Sequence, residues 1–339
     1  MIQINTSNYS QLVFSTSTPQ ANFEFFTASG TIVPAWIESY TSPTLTVWVN
    51  IANGIAANST ATIYLGIGTS SVNFLSSSGT SGIGMAPELG PTYAQYDNGT
   101  SVFPFYDNFA GTSLNTNIWN VISGFTYTVN NGFTYSNGNA IYITSITAFT
   151  NPYVIDFMAS GQSGVNNGIY WGAQGRGTSA NANLWAQRGS SYVTQNDNLF
   201  TANPAPSSYT QYDSFNISFP TTNYYVFTLY VGPNNNPIIT QTNYTTTLNA
   251  TNFPNTYLNG YISPRYGGGG SESWQWIRTR AYPPSGTMPD PTFGDTIKFR
   301  YGIQISDNVK FRYGLQINPN IEFRYGLQVV SNFNFNNYL

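Results

Sequence analysis

The sequence predicts an all-β chain with a small N-terminal β-domain, a larger jelly-roll sandwich and a C-terminal tail of β-repeats. Three observations predict it. Short runs alternate apolar and polar residues, as in 44–51, where Leu45, Val47, Val49 and Ile51 alternate with Thr44, Thr46, Trp48 and Asn50. That is the period of a strand with one buried face. Turn-forming residues interrupt these runs about every ten residues, the spacing of a sandwich or jelly roll. No stretch carries the period of an amphipathic helix.

Composition sets the class. At 339 residues the chain has room for two domains. Aromatic residues make up 17%, far too many for a disordered chain. Charged residues make up only 7%, so Asn, Ser, Thr and Gln must supply the polar surface. With no His, no side chain normally titrates near neutrality. Such a surface suits an extracellular setting, including an acidic one. The absence of Cys excludes disulfides, a thiol nucleophile and zinc–thiolate sites. The absence of His excludes a Ser–His–Asp relay and nearly all transition-metal sites. Net charge is −3, and every Lys and Arg lies at or after Arg176. No basic patch results, so nucleic acid is not an expected partner. No apolar run is long enough for a membrane span. The opening MIQINTSNYSQL lacks the basic and apolar regions of a secretory signal. The chain is therefore expected to reach the exterior after removal of a leader, or as part of a particle.

In chain order, residues 1–75 read as a β-domain with strands at 12–15, 22–27, 32–40, 44–51 and 61–68. Pro43, Asn53-Gly54 and Asn58-Ser59 supply turns. Residues 76–103, rich in Gly, Ser and Pro over 76–99, read as a connector. Residues 104–293 read as the sandwich. Its opening stretch, VFPFYDNFAGTSLNTNIWNV at 102–121, clusters Phe103, Phe105 and Phe109 and ends on a core-type Trp119. Asp107-Asn108 can bond back to the chain and set the first turn. Strands follow at 125–129, 140–146, 153–159, 168–174, 182–188, 214–219, 224–231, 238–242, 258–263 and 274–281. Asn131-Gly132, Asn137-Gly138, 161–164 and 233–237 give turns between them.

Residues 294–339 change the pattern. KFRYGIQISDNV, KFRYGLQINPNI and EFRYGLQVVSNF begin at 298, 310 and 322. A period of twelve is even, so each repeat keeps the same face. Phe299, Tyr301, Ile303, Phe311, Tyr313, Leu315, Phe323, Tyr325 and Leu327 share one parity, and Arg300, Arg312 and Arg324 the other. Three such strands cannot bury their apolar face alone. The expectation is that this face is buried between subunits, in a β-stalk or a strand-swapped contact. The alternative is that the tail folds back as an extra sheet on its own sandwich.

Several of these motifs resemble a known family. IVPAWIESY at 32–40 contains P-x-W-I-E-S, TLTVWVNI at 44–51 contains V-W-V, and ANSTATIYLGIG at 57–68 contains T-I-Y-L-x-x-G. Together they resemble the DUF2341 domain, a small β-domain of unknown role. FPFYDNFAGTSLNTNIWNV resembles the opening of a concanavalin A-like lectin/glucanase jelly roll. SESWQWIRTRAYPPSGTMPDPTFG at 271–294 resembles that sandwich's closing strand and exit. The resemblance implies a β-domain followed by a concanavalin A-like sandwich, as in surface proteins of archaea and their viruses. It implies no agreed activity.

Each chemical constellation has a plainer structural alternative. A glycosidase on this fold needs two carboxylates facing the scissile bond. No closely spaced acidic set exists, and strand 153–159 offers only Asp156, so no catalytic residue is assigned and the chain is expected not to be an enzyme. Glycan-binding candidates fall within 168–195: Tyr170, Trp171, Arg176, Trp185, Gln187, Arg188 and Tyr192. Rings could stack on sugar faces there while Arg and Gln hydrogen-bond; alternatively Trp171 and Trp185 fill the core. Trp274, Trp276, Arg278 and Arg280 are expected on one face of the closing strand, as an Arg–Trp ladder. No cofactor is assigned beyond calcium, for which Asp107 is the candidate ligand. Asn5, Asn8, Asn58, Asn98, Asn216, Asn243 and Asn249 head N-x-S/T glycosylation sequons. The expected function is a non-enzymatic structural or attachment protein, a fibre or spike on a virion or cell surface. It would display a lectin-like sandwich and assemble through the C-terminal repeats. Its partners would be copies of itself or other structural subunits, and surface glycans. A filament subunit built by strand complementation and a glycan-active hydrolase are the rival readings.

Overall fold

The computed structural model describes residues 1–52, 54–56, 59–121, 126–137, 143–160, 167–172, 184–188, 196–202, 209–216, 223–233, 238–243, 246–250, 259–265, 272–283, 288, 291–294 and 328–336. The described chain is all-β apart from two single-turn helices, Thr6–Asn8 and Gly99–Val102. No described helix is long and apolar enough to cross a membrane. The chain divides into two compact units, Met1–Pro104 with Pro283–Leu339, and Phe105–Tyr282.

The first unit holds two four-stranded sheets. One runs in the order Ile2–Asn5, Thr44–Val49, Ala35–Thr41, Ile83–Met85. The other runs Pro291–Phe293, Gln328–Asn336, Thr60–Ile67, Phe23–Phe26. Alternation along Thr44–Val49 buries Leu45 and Val47 completely, as the period-two pattern predicts. They join one core cluster with Ile2, Ile4, Phe23, Phe25, Ile37, Ile63 and Leu65. Burial of each large side chain is worth about 1.5–3 kcal/mol, so this cluster holds the unit without disulfides.

The connector expected at 76–103 is part of this unit. Ile83–Met85 pairs in parallel with the Ala35–Thr41 strand, Ala35 opposite Ile83, and Ile83 and Met85 belong to the core cluster. The Gly-rich composition that reads as a linker serves close packing. Gly82 has φ +118°, and a Cβ there would stand 2.0 Å from the Phe74 carbonyl oxygen. At Gly84 a Cβ would stand 1.9 Å from Asn98 Oδ1. Neither position tolerates a side chain.

The second unit is a two-sheet sandwich. Its larger sheet runs Thr126–Val129, Phe133–Asn137, Glu272–Ala281, Tyr153–Ser160, Tyr224–Val231, Ile238–Thr242, Thr246–Ala250, and Phe105–Asp107 also pairs with Glu272–Ala281. The smaller runs Tyr209–Asn216, Asn196–Ala202, Leu184–Arg188, Asn167–Gly172, Tyr261–Arg265. All of these pairings are antiparallel. The Tyr135 hydroxyl donates to the Pro264 carbonyl, 3.3 Å away on the smaller sheet. The closing strand Glu272–Ala281 lies beside the opening strand Phe105–Asp107, Ile277 opposite Asp107. Asn131-Gly132, both at positive φ, turns Thr126–Val129 into Phe133–Asn137, a strand that the sequence reading places in a turn region.

Candidate functional site: buried carboxylates and the sandwich strands

The closing strand carries a register irregularity that decides where its side chains go. Arg278 stands opposite Asp156 and Trp276 opposite Met158, but Trp274 stands opposite Ala159. The bulge at Gln275 puts Trp274 out of step with Trp276. Trp274 consequently stacks on Phe157, centroids 4.6 Å apart. Trp276 instead lies under Arg278, whose guanidinium carbon is 4.7 Å from the ring centroid. The four-residue ladder expected on one face is thus corrected: Trp276, Arg278 and Arg280 share a face and Trp274 turns to the other.

Asp156 is the centre of that face. One carboxylate oxygen accepts from Arg278 Nε at 2.9 Å and Arg280 Nε at 2.8 Å. The other accepts from Thr228 Oγ1 at 2.8 Å and Arg280 Nη2 at 3.3 Å. Asp156 and Arg278 are wholly buried, and Arg280 nearly so. Burial alone would raise the Asp156 pKa. The charges of Arg280 and Arg278, with hydrogen bonds from Arg280 and Thr228, outweigh burial and hold the carboxyl below the usual aspartate range. Burial would lower the Arg280 pKa, and the Asp156 charge and hydrogen bond reverse that. Arg280 also lies over the Tyr230 ring at 5.2 Å.

Three other carboxylates hold tryptophans. Trp119 Nε1 donates to Asp107 Oδ2 at 2.5 Å, and Asp107 Oδ1 accepts the Phe109 amide at 3.0 Å. Asp107 is buried. One oxygen is engaged by the opening turn that its position predicts and the other by Trp119. Trp48 Nε1 donates to Glu38 Oε2 at 2.6 Å, and Trp36 Nε1 to Asp97 Oδ1 at 2.8 Å. Glu38 occupies the irregularity between Ile37 and Ser39, which breaks the strand's alternation there. Because charged residues are so scarce, each of these pairings absorbs much of the local acidity. Sequence reasoning missed both pairs in the first unit, whose partners lie 10 and 61 residues apart in the chain.

Of the glycan-binding candidates, the structure places five on paired strands of the smaller sheet. Tyr170 stands opposite Trp185, Gln187 opposite Gly168, and Arg188 opposite Asn167, while Trp171 pairs with Leu184 and Ile262. The register therefore brings Tyr170, Trp171, Trp185, Gln187 and Arg188 onto two neighbouring strands. Arg176 and Tyr192 lie outside the described residues. So do the nine tail residues Phe299, Tyr301, Ile303, Phe311, Tyr313, Leu315, Phe323, Tyr325 and Leu327, and Asn58. Among the sequons, Asn98 is wholly buried and its Nδ2 donates to the Ala35 carbonyl at 3.1 Å. That excludes a glycan on it in the folded state. Asn5 Oδ1 caps the Thr6–Asn8 turn, and Asn243 Oδ1 accepts the Val226 amide. Asn8 is exposed. Asn216 and Asn249 lie on the Tyr209–Asn216 and Thr246–Ala250 strands.

Comparison with known proteins gives the following. A domain of unknown function, DUF2341, matches residues 20–122. The chain is 36% identical over 112 residues to uncharacterized protein 562 of Sulfolobus islandicus rod-shaped virus 1. That match takes in 32% of this chain and 18% of the viral protein's length. Similar solved structures include LamAcat from Zobellia galactanivorans, with a TM-score of 0.40 and 12% identity over 53% of this chain and 97% of that one. Carbohydrate binding module CBM66 from Bacillus subtilis has a TM-score of 0.37 and 8% identity over 48% of this chain and 95% of that one.

Proposed function

We propose that this chain is a non-enzymatic extracellular structural and attachment protein, a fibre or spike module on a virion or cell surface. It displays its sandwich as a lectin-like unit and assembles through its last residues. The observation that carries the non-enzymatic reading is the condition of Asp156. The sandwich strand on which the sequence offers its single acidic residue spends that residue on two buried arginines. A carboxylate fixed as an anion and closed from water neither donates a proton nor attacks a sugar carbon. The stretch shared with the rod-shaped virus protein supports the virion setting. The nearly charge-free, amide-rich composition supports an exterior one.

The test is to present the purified chain to a glycan array and, in parallel, to incubate it with β-glucans. Binding without release of reducing ends is expected, weakened by Trp185→Ala or Tyr170→Ala. Release of reducing ends by the pure protein would overturn the non-enzymatic reading. Absence of any bound glycan would overturn the lectin-like one.

A further inference from the structure

Three of the N-x-S/T sequons, at 5–7, 8–10 and 98–100, lie wholly among the described residues, and the fold treats them differently. Asn98 is wholly buried and its Nδ2 donates to the Ala35 carbonyl, which excludes a glycan there. Asn5 ends the Ile2–Asn5 strand, and its Oδ1 accepts the Ser7 amide at 3.0 Å, so its side chain is turned back onto its own chain. Asn8 is held in neither way. It closes the Thr6–Asn8 turn and is exposed, and so is Ser10, the hydroxyl residue of its sequon. Among the described residues, neither of these two side chains has a hydrogen-bond partner.

The backbone around this sequon is fixed. Thr6 donates to the Pro43 carbonyl through its amide at 2.8 Å and its hydroxyl at 2.9 Å. The Tyr9 amide donates to the Thr6 carbonyl at 3.1 Å, and the Leu12 amide to the Tyr9 carbonyl at 3.0 Å. Tyr9, the middle residue of the sequon, packs against the core cluster of the first unit. The sequon is thus anchored at its centre while both of its reacting side chains stay at the surface. A modifying enzyme can reach Asn8 without unfolding any part of the unit.

We propose that Asn8 is an N-glycan attachment site, its co-substrate an oligosaccharide activated as a phosphate ester. The inference rests on reading the chain as an exterior protein, because this modification belongs to surface loops of secreted chains. In the transfer, Asn8 Nδ2 bonds to the anomeric carbon of the sugar. The bond from that carbon to the phosphate oxygen breaks, and the phosphate leaves with the electron pair. One amide proton passes to a base of the transferring enzyme. A bulky, hydrated glycan gives solubility to a surface with few charges. That need is local as well as global, since residues 1–23 contain no Asp, Glu, Lys or Arg.

For the test, the full chain is expressed behind a cleavable secretion leader in cells that N-glycosylate, beside a secreted control protein with one sequon. The first basic residue is Arg176, so trypsin leaves the region whole, whereas cleavage after Glu24 releases it. Mass spectrometry with fragmentation then assigns each sequon. The expected result is a glycan mass on Asn8, with Asn5 and Asn98 bare. Asn8→Gln and Ser10→Ala should each abolish it, and Ser10→Thr, which keeps the hydroxyl, should retain it. A folded, secreted chain that is bare at Asn8 while the control is modified overturns the proposal and leaves the exterior reading standing. So does a glycan on Asn5 in place of Asn8. Immunogold labelling that finds the native chain only inside its producing cells removes the exterior reading, and the proposal with it.

Discussion

Asp156 sets one negative charge against the two positive charges of Arg278 and Arg280, in a place that water does not reach. Removing one partner of such a set leaves buried charge uncompensated, which costs about 3–5 kcal/mol. Asp156→Asn should therefore lower stability by that amount in urea titration. Replacing all three together (Asp156→Leu, Arg278→Met, Arg280→Leu) should recover most of it, since well-packed apolar residues avoid the desolvation cost. The pH dependence has a definite sign. The Asp156 pKa is lower folded than unfolded, so its stabilisation is fully present above the unfolded aspartate value of about 3.9. It is lost as pH falls through the still lower folded value. Denaturant midpoints of the parent should fall below about pH 4, and Asp156→Asn should show a shallower fall. Equal slopes in parent and variant would refute this assignment.

At the scale of elements, glycines and bulges decide what composition alone leaves open. Gly84 belongs to a strand packed so closely on Asn98 that a methyl group has no room. Gly84→Ala should cost about 1–3 kcal/mol through overpacking, read as a lowered melting temperature. In a connector the same change would be neutral or stabilising, so a variant that melts with the parent restores the linker reading. The strand most legible in the sequence is the one with the clearest alternation, Thr44–Val49, because one buried face writes itself as period two. Ile83–Met85 was illegible because both of its faces are closed and its glycines imitate a linker. The faces of Trp274 and Trp276 were illegible because a bulge leaves no mark in the alternation of the strand that carries it. The Asp107-Asn108 turn was legible, because a short polar side chain bonding to the amide two residues on is a local event. The partners of Asp156 were not, since Thr228 and Arg278 lie 72 and 122 residues away in sequence.

At the scale of the whole molecule, the two units differ in how the chain makes them. Phe105–Tyr282 is one continuous stretch, whereas Met1–Pro104 shares its unit with Pro283–Leu339. A continuous unit with its own core of Phe157, Trp274 and Phe133 has all that it needs to fold alone. The first unit does not, because 1–104 alone would leave the Thr60–Ile67 strand without the partner that pairs its full length. Residues 105–282 expressed by themselves should therefore give a β-type circular dichroism spectrum and a single cooperative melt. Residues 1–104 should melt at lower temperature than the same unit in the full chain, or associate through the open edge. A synthetic peptide spanning 328–336 should raise that melting temperature in a concentration-dependent way, by mass action on the folded state. The shift should vanish for a peptide carrying proline at position 332, which cannot complete the ladder. If 1–104 proves as stable and as monomeric alone as within the full chain, the Gln328–Asn336 strand contributes nothing to the unit, and the long-range pairing is not what holds this sheet together.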